Sequence, residues 1–334
     1  AVPPMPPESA PPPRRARPAR RSTRQRILLG LGATLVVVLV VAGAVLGYGW
    51  YRFNQIGQAD LALAESLGGP QNFLIVGSDS RDVVADTDSD ADAFLDGAGA
   101  DQTGQRADTI MVARVDPQAK TIDLLSFPRD LWIPIMPGGE NQRINTAYTG
   151  NGPQALIDTL KADFGIDINH YVEINFKSFK GIVDAVGGVP MYFDSPMRDE
   201  HTGLYQYELG CVSLNGEQGL AFARARHLEY KDSRDRWASD PTGDLGRINR
   251  QQVLMRAMID RSQDRFGSLD VKAINDIVSS TADNLTVDSE LGIGDMIDLG
   301  RAFKGFSGDQ IVTHALPVTP YMTNGGASVL RLDE

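Results

Sequence analysis

Arginines and aspartates follow several apolar stretches of this sequence, and together they could bind a phosphate substrate and a metal ion. A guanidinium group presents a planar fork of donors that matches phosphate oxygens. Carboxylates bind hard divalent cations, which also contact substrate phosphates. A cleft containing both groups would bind a diphosphate. The candidate residues are Asp79, Arg81, Arg106, Asp108, Arg129, Asp130, Arg224, Arg226, Asp244, Arg247 and Gln251.

The spacing of these residues decides which side chains can point the same way. In AFARARH, Arg224 and Arg226 lie two residues apart and share a face only if the segment is extended. We therefore predict an extended segment there, with alanines packed behind it. In DLGRINRQQ, Arg247 and Gln251 lie four residues apart and would share one face of a helix.

Surface ion pairs, each worth about 0–1 kcal/mol, are the alternative explanation of the arginines and aspartates. Other familiar sites are excluded. The sequence has no glycine-lysine pair for a P-loop, and the DFG triplet at 163–165 lacks a glycine-rich loop or HRD motif. Its four histidines show no short metal-ligand spacing. The aspartate-rich run around Asp88 lacks the glycine and glutamate of a calcium loop, so we predict a solvated loop.

Strand and helix patterns alternate around the candidate residues. Strand patterns occur in QNFLIVG, TIMVARVD, TIDLLSFP, HYVEINF, VPMYFD and QIVTHALP. Helix patterns occur in GPQALIDTLKADFG, KSFKGIVDAVGG, DLGRINRQQVLMRAMIDRSQ, VKAINDIVSSTADN and SELGIGDMIDLGRAF. This alternation predicts a single layered α/β domain, with a central sheet flanked by helices.

The N-terminal segment predicts a membrane anchor. Residues 1–26 are rich in proline and arginine, which predicts a disordered cytoplasmic tail. Residues 27–51 carry no charge and are long enough for a single transmembrane helix, with arginines before them and aromatic residues at their far end. A signal peptide cleaved near Ala44 is the alternative. Gly43 and Gly47 form a GxxxG pattern, through which two such helices could pair in a homodimer.

The chain beyond the anchor is predicted to be extracellular. Residues 52–70 would form a short helical stalk, and residues 71–334 a domain with an acidic flexible insertion at 82–105. The net charge of −11 argues against nucleic acid as a partner. Cys211 is the single cysteine, so the chain forms no internal disulfide, and we predict that its side chain is buried.

These motifs, in this order, resemble the LytR-CpsA-Psr family of bacterial cell-wall enzymes. The resemblance spans residues 72–260 and depends on FLIVGSDSR, RADTIMVARVD, LLSFPRDLW, INTAY, YVEINFKSFKGIVDAVGGV, LNGEQGLAFARARH and DLGRINRQQ. It implies that the domain at 71–334 is an extracellular, membrane-anchored phosphotransferase. Such an enzyme moves a glycopolymer from a polyprenyl diphosphate carrier onto peptidoglycan, with magnesium as its cofactor.

The resemblance also implies roles for individual residues. Asp79 and Asp108 would be the magnesium ligands. The other candidates would bind the diphosphate or complete the cleft: Arg81, Arg106, Arg129, Arg224, Arg226, Asp244, Arg247 and Gln251. Two features depart from the family pattern. The insertion at 82–105 lengthens the segment that follows Asp79, and residues 131–133 are LWI where some members have a further arginine.

In the implied reaction, an acceptor sugar hydroxyl attacks the polymer-side phosphorus while arginines stabilise the charge on its oxygens. Asp130 or Asp79 would accept the hydroxyl proton. We expect the polyprenyl tail to occupy a groove lined by the apolar residues of IVDAVGGV at 182–189 and by later helices.

Two other functions stay open at this point. One is a non-catalytic scaffold or regulator that binds wall lipids, and the other is a hydrolase that admits water instead of a sugar. A composition rich in alanine, arginine and aspartate, taken with the resemblance, favours arabinogalactan as the polymer. Teichoic acid and capsule are the alternative polymers.

Overall fold

The structure is a computed structural model that describes residues 51, 55–66, 68–78, 107–266 and 285–333. These residues belong to one compact unit, 50–334. The predicted tail, the anchor up to residue 50, the insertion at 82–105 and the helix pattern at 271–284 lie outside the described residues. Within the described part of the chain, no helix has the length and apolar character required to cross a membrane.

Strands and helices alternate along the described chain. The α-helices are α1 (Asn145–Phe164), α2 (Phe176–Ala185), α3 (Gly216–Arg224), α4 (Gly243–Phe266) and α5 (Ile293–Ala302). The strands are β1 (Gly57–Ala59), β2 (Gln71–Ser78), β3 (Ala107–Asp116), β4 (Thr121–Phe127), β5 (Trp132–Ile135), β6 (Glu140–Arg143), β7 (His170–Asn175), β8 (Val189–Phe193), β9 (Met197–Asp199), β10 (Leu204–Gln206), β11 (Gly210–Leu214), β12 (Glu229–Lys231), β13 (Trp237–Ser239), β14 (Leu285–Asp288), β15 (Ile311–Ala315), β16 (Val318–Met322) and β17 (Ser328–Leu332).

A seven-stranded mixed sheet forms the centre, in the order β1-β14-β7-β2-β3-β4-β15. Strands β2, β3 and β4 are antiparallel neighbours, whereas β7 lies parallel to β2 and β15 parallel to β4. Side chains of β2 alternate between the two faces, with Leu74 and Val76 in one apolar cluster and Phe73 and Ile75 in another. The sheet is therefore covered on both faces, which confirms the predicted layered α/β fold.

Helices supply the two covering layers. Leu156 and Leu160 of α1 are fully buried in the cluster on one face. The cluster on the other face includes Met255 and Ile259 of α4 and Leu299 of α5. The sheet consequently holds its strand ends in fixed positions, and the candidate site lies at those ends.

Strands β2 and β3 approach each other closely beside the candidate site. A Cβ atom added at Gly77 would lie 2.9 Å from Cβ of Thr109. The pairing register shifts between Gly77 and Ser78, so that Ser78 pairs with Ala107. A side chain at position 77 would push the strands apart at the end of the sheet where Asp108 lies.

Short strands form a further layer, in which the predicted strand VPMYFD is confirmed as β8. The three-residue strands of this layer were not predicted, because so short a segment shows no measurable periodicity. Strands β10, β9, β12 and β13 form a four-stranded sheet, and β8 pairs with β11. Among the described residues, Val183, Val186 and Val189 are at most 2% exposed and pack into one apolar cluster with Phe222 and Leu254. The prediction that this segment lines an open lipid groove is therefore wrong.

Two further predictions are also wrong. Residues 57–59 form β1, which pairs with β14 at the edge of the central sheet, so this part of the predicted helical stalk is a strand. Ile56, directly before β1, is buried in the apolar cluster that also contains Phe73. Cys211 is exposed on β11, where it pairs with Tyr192, because it lies on the outward side of a two-stranded sheet.

Candidate functional site

Asp108 and Arg129 form an ion pair at one edge of the central sheet. Asp108 lies near the start of β3, and Arg129 follows the end of the antiparallel neighbour β4. Nη1 of Arg129 donates to Oδ1 of Asp108 over 2.7 Å. Burial opposes ionisation of Asp108, but the charges of Arg129, Arg247 and Arg226 outweigh it and lower the pKa of Asp108. The carboxylate is therefore ionised at neutral pH.

Helix α4 brings a second guanidinium group to Asp108. Arg247 is 3% exposed, and its Nη2 donates to the backbone oxygen of Asp108 over 2.9 Å. The same nitrogen lies 2.9 Å from Oδ1 of Asp244, one helical turn earlier. Burial lowers the pKa of Arg247 despite both acidic neighbours, although an arginine remains charged in water at neutral pH. The cluster thus holds a buried positive charge next to the strand edge.

Gln251 lies on the same face of α4, as its spacing from Arg247 predicts. Its Nε2 donates to Oγ1 of Thr109 and to the backbone oxygen of Ala223, each over 3.0 Å. The side chain therefore connects α4 to β3 and α3. Its predicted contact with substrate stays a prediction.

The prediction of an extended segment at ARAR is wrong for Arg224, which is the last residue of α3. Asn215 and Gln218 form a capping box that starts this helix, and their spacing in the sequence is the signal that indicates it. Ala225 leaves the helix, and Arg226 follows in an irregular loop. The two arginines consequently lie on different kinds of backbone.

The loop that contains Arg226 is held by two residues that the sequence reasoning missed. Asp199, which is 1% exposed, accepts hydrogen bonds at Oδ2 from the backbone nitrogens of Arg226 and His227, each over 2.8 Å. Arg250 donates to the backbone oxygen of Ala225. Asp199 lies far from the loop in sequence and shows no motif, whereas Arg250 belongs to the GRINRQQ stretch already singled out.

The positions of Arg224 and Arg226 are consistent with a shared cleft. The guanidinium carbon of Arg224 lies 4.4 Å from the ring centre of Phe176, the first residue of α2. Phe176 directly follows β7, whose last residue Asn175 pairs with Ser78. The charge of Arg226 lowers the pKa of Asp108, so its side chain is within electrostatic range of that carboxylate. The structure thus brings both arginines to the same end of the central sheet as Asp108.

Asp130 lies beside this cluster and contacts two guanidinium groups. Its Oδ1 is 3.0 Å from Nε of Arg143, and its Oδ2 is 3.6 Å from Nε of Arg129. A carboxylate there could accept a proton or orient Arg129. Its role as the general base stays a prediction.

Three of the predicted site residues, Asp79, Arg81 and Arg106, lie outside the described residues. Their nearest described neighbours in sequence are Ser78 and Ala107, which pair with each other at the end of β2 and β3. Their predicted roles in metal and substrate binding are not tested by the structure.

Asp108 and Asp244 bring carboxylate oxygens, the ligand type that a hard divalent cation prefers, to this end of the sheet. Among the described residues, no group of three or more His, Cys, Asp or Glu residues could hold a metal ion. However, both side-chain oxygens of Asp244 are buried; Oδ1 lies 2.9 Å from Nη2 of Arg247, whereas Oδ2 has no hydrogen-bond partner in the described structure. Buried carboxylate oxygens normally have a donor or a cation beside them, so Asp244 and the ionised Asp108 are suitable oxygen ligands.

Comparisons with known proteins give a consistent match. The sequence matches the LytR_cpsA_psr family over residues 54–334. Polyisoprenyl-teichoic acid–peptidoglycan teichoic acid transferase TagU of Halalkalibacterium halodurans is 32% identical over 286 residues, which cover 84% of this chain and 85% of TagU. TagV of Bacillus subtilis is 29% identical over 306 residues, which cover 88% of this chain and 70% of TagV.

Two solved structures share the fold. A LytR-Csp2A-Psr enzyme from Actinomyces oris superposes with a TM-score of 0.63 at 24% identity, and the match covers 84% of this chain and 92% of that enzyme. The crystal structure of B. subtilis TagV gives a TM-score of 0.60 at 25% identity, over 80% of this chain and 92% of TagV.

Proposed function

Because this chain belongs to the LytR_cpsA_psr family, we propose that it transfers a cell-wall glycopolymer from a polyprenyl diphosphate carrier onto a sugar hydroxyl of peptidoglycan. The relatives TagU and TagV are named as transferases of teichoic acid from a polyisoprenyl carrier to peptidoglycan. The observation that carries the proposal is the cluster of guanidinium groups around Asp108, in which Arg247 is buried and Arg129 is hydrogen-bonded.

The cluster suits a diphosphate because its donors are already oriented. Asp108 and Asp244 hold Arg247, and Asp108 also holds Arg129, so these two arginines do not need to reorganise when substrate binds. An arginine has five N–H donors, so the pairing leaves donors for phosphate oxygens. Donors fixed where charge develops stabilise the transition state, and this effect is often the largest single contribution to catalysis.

The proposed reaction is a displacement at the polymer-side phosphorus. The oxygen of the acceptor hydroxyl forms the new P–O bond, and the bond from that phosphorus to the bridging oxygen breaks. Polyprenyl phosphate leaves with the bridging oxygen. The hydroxyl proton passes to a carboxylate, for which Asp130 and Asp79 are the candidates.

We propose magnesium as the cofactor, with Asp79 and Asp108 as ligands and Asp244 beside them. Bound magnesium would neutralise charge on the diphosphate and so assist departure of the lipid phosphate. The three carboxylates supply the oxygen ligands that this ion prefers. We also propose arabinogalactan as the polymer, and a single-pass protein in the cell membrane, with its N-terminus cytoplasmic and its C-terminal domain extracellular.

Release of polyprenyl phosphate tests the proposal. The full chain in detergent is incubated with a polyprenyl diphosphate-linked oligosaccharide, peptidoglycan fragments, and either magnesium or a chelator. We expect magnesium-dependent release that Arg226→Ala reduces by about 100-fold, since one donor at a developing oxyanion is worth that much. The matched control is Arg301→Ala, whose side chain is exposed on α5.

Each alternative function predicts a different result. A scaffold would bind the lipid-linked donor without releasing polyprenyl phosphate, even when fragments are present. A hydrolase would release polyprenyl phosphate at the same rate without fragments and would form no linked product. Either result would refute the transferase assignment.

A further inference from the structure

The outer face of the four-stranded sheet carries three aromatic side chains in a row. Tyr205 and Tyr207 are more than half exposed, and their ring centres lie 6.3 Å apart. The ring centre of Tyr207 lies 6.2 Å from that of Trp237. We name these three residues the aromatic row. Large exposed aromatic groups in a row are typical of binding surfaces.

Strand pairing explains why the row faces outward. Tyr205 of β10 pairs with Arg198 of β9, and residues directly opposite each other on antiparallel strands share a face. On that face the guanidinium carbon of Arg198 lies 4.4 Å from the ring centre of Trp237. The neighbouring side chains Leu204 and Gln206 point inward and are buried. Trp237 is therefore fixed by Arg198, Tyr205 lies on the edge strand β10, and Tyr207 directly follows the end of that strand.

One end of the aromatic row lies at a cavity that is also lined by Arg224, which is predicted to bind the diphosphate. A cavity of about 250 Å³ lies between the β9–β10 hairpin and α3, and both Tyr205 and Arg224 line it. Thr202, Glu217 and Gln218 add hydroxyl, carboxylate and amide groups to its lining. A chain attached to a diphosphate at Arg224 would leave through this cavity and reach Tyr205 first.

Arg198 and Lys231 on this face are paired with acidic side chains, which favours an uncharged ligand. Nε of Arg198 is 2.8 Å from Glu229, and its Nη1 is 3.2 Å from Glu200. Nζ of Lys231 is 2.6 Å from Asp235. A polymer linked by phosphodiesters would have to separate these pairs to gain a cation, whereas an uncharged sugar would not. Sugar rings have an apolar C–H face and a polar rim, which the apolar ring and polar tip of tyrosine complement.

From this geometry we infer that the aromatic row and the adjoining cavity bind the uncharged saccharide chain of the glycopolymer donor. This inference depends on the proposed function, because it takes the saccharide to be attached to a diphosphate at Arg224. It adds a specificity: donors with several uncharged sugars bind more tightly than donors with one sugar or with a phosphate-linked polymer.

The variant Tyr205→Ala/Tyr207→Ala tests the inference in the full chain in detergent. The matched control is Tyr192→Ala, which removes an exposed tyrosine from β8, outside the row. The donors are polyprenyl diphosphates that carry one neutral sugar, five neutral sugars, or an oligo(ribitol phosphate). We expect the KM for the five-sugar donor to rise about tenfold, which corresponds to a modest loss of binding energy. The KM for the one-sugar donor should change by less than about twofold, as should every KM of the control.

Other outcomes would overturn the inference. Equal changes for the one-sugar and five-sugar donors would exclude a saccharide-chain site, and equally tight use of the phosphate-linked donor would exclude the specificity for uncharged chains. A change confined to the KM for peptidoglycan fragments would assign the row to the acceptor instead.

A binding measurement separates this inference from the proposed function. Saturation-transfer NMR with the free five-sugar oligosaccharide should show contact with the native chain and not with the double variant. A native chain that binds the oligosaccharide but releases no polyprenyl phosphate from any donor would refute the proposed function alone. A native chain that releases polyprenyl phosphate but shows no such contact would refute the inference alone.

Discussion

Replacing Asp199 by asparagine tests whether the loop that contains Arg226 must be held in one position. The Asp199 carboxylate accepts three backbone N–H groups: Oδ1 that of His201 over 3.0 Å, and Oδ2 those of Arg226 and His227, each over 2.8 Å. Asparagine keeps one acceptor oxygen and presents an NH2 group at the other position. At least one backbone N–H then loses its partner, and the remaining bonds become bonds to a neutral acceptor.

The structure allows the size of this effect to be estimated. A hydrogen bond to a charged group contributes roughly 1.5–3 kcal/mol, and a buried donor left unsatisfied costs a similar amount. We therefore expect Asp199→Asn to lower the free energy of unfolding by about 2–4 kcal/mol. Misplacing a catalytic group by about 1 Å can cost 100-fold in rate, so we expect kcat for lipid phosphate release to fall by about 10- to 100-fold.

The control is Asp116→Asn, at the opposite end of β3 from Asp108. Asp116 also accepts two backbone N–H groups, those of Gln118 and Ala119, but in an exposed turn. Stability is measured by chemical denaturation, and kcat is measured at a temperature where each variant stays folded. If Asp199→Asn loses stability but keeps the native kcat, the loop does not need this aspartate to position Arg226.

Three further changes have defined outcomes. Asp288→Asn should lower the free energy of unfolding by about 2 kcal/mol at pH 7. Burial raises the pKa of Asp288, but hydrogen bonds from His170 and from backbone N–H groups outweigh burial, so the pKa of Asp288 is lowered overall. The contribution of Asp288 is present above the ordinary aspartate pKa and is lost as the pH falls below about 4, so the denaturation curves of the variant and the native chain should converge in acid. A difference in unfolding free energy that stays the same at every pH would contradict this prediction. Asp244→Asn should weaken magnesium binding at least about tenfold in calorimetric titration, because it removes the charge of a carboxylate whose buried Oδ2 has no hydrogen-bond partner in the described structure; unchanged affinity would remove Asp244 from the metal site. Gly188→Ala should destabilise the β8–β11 pair, since its φ is +81° and an added Cβ would lie 2.6 Å from Oγ of Ser213; an unchanged melting temperature would show that the pair can shift at no cost.

Local spacing predicted the parts of the site that depend on one element. Arg247 and Gln251 share a face of α4 because four residues make about one helical turn, and both side chains reach β3 as a result. The same kind of argument failed at Arg224, because a two-residue spacing was assigned to a strand while a capping box at Asn215 had already started a helix. Sequence spacing is a reliable guide only after the element has been identified.

Contacts between distant segments could not be predicted in this way. The bond between Asp199 and the backbone of Arg226 joins residues 27 positions apart, and no periodicity connects them. The exposure of Cys211 depends on a two-stranded sheet whose outer side is not covered by any of the residues that the structure describes. Strands β2, β3, β4, β7 and β15 of the central sheet were predictable from their apolar patterns, whereas β1 and β14 are only three and four residues long and, like the short strands outside this sheet, depend on tertiary packing.

The acidic composition of the chain and the cationic character of its site are compatible because charges act locally. At physiological salt, exposed charges separated by more than about 8 Å are largely screened, so the net charge of −11 has little influence on the site. Inside the cluster, contacts between neighbouring acidic and basic residues matter more than the net charge. Asp108 contacts both Arg129 and Arg247, and Asp244 contacts Arg247. Without these carboxylates the guanidinium groups would repel each other with little water to screen them, so the aspartates stabilise the arginines in the positions that the proposed diphosphate site requires. Removing one aspartate should therefore disturb the arginines as well as any bound metal.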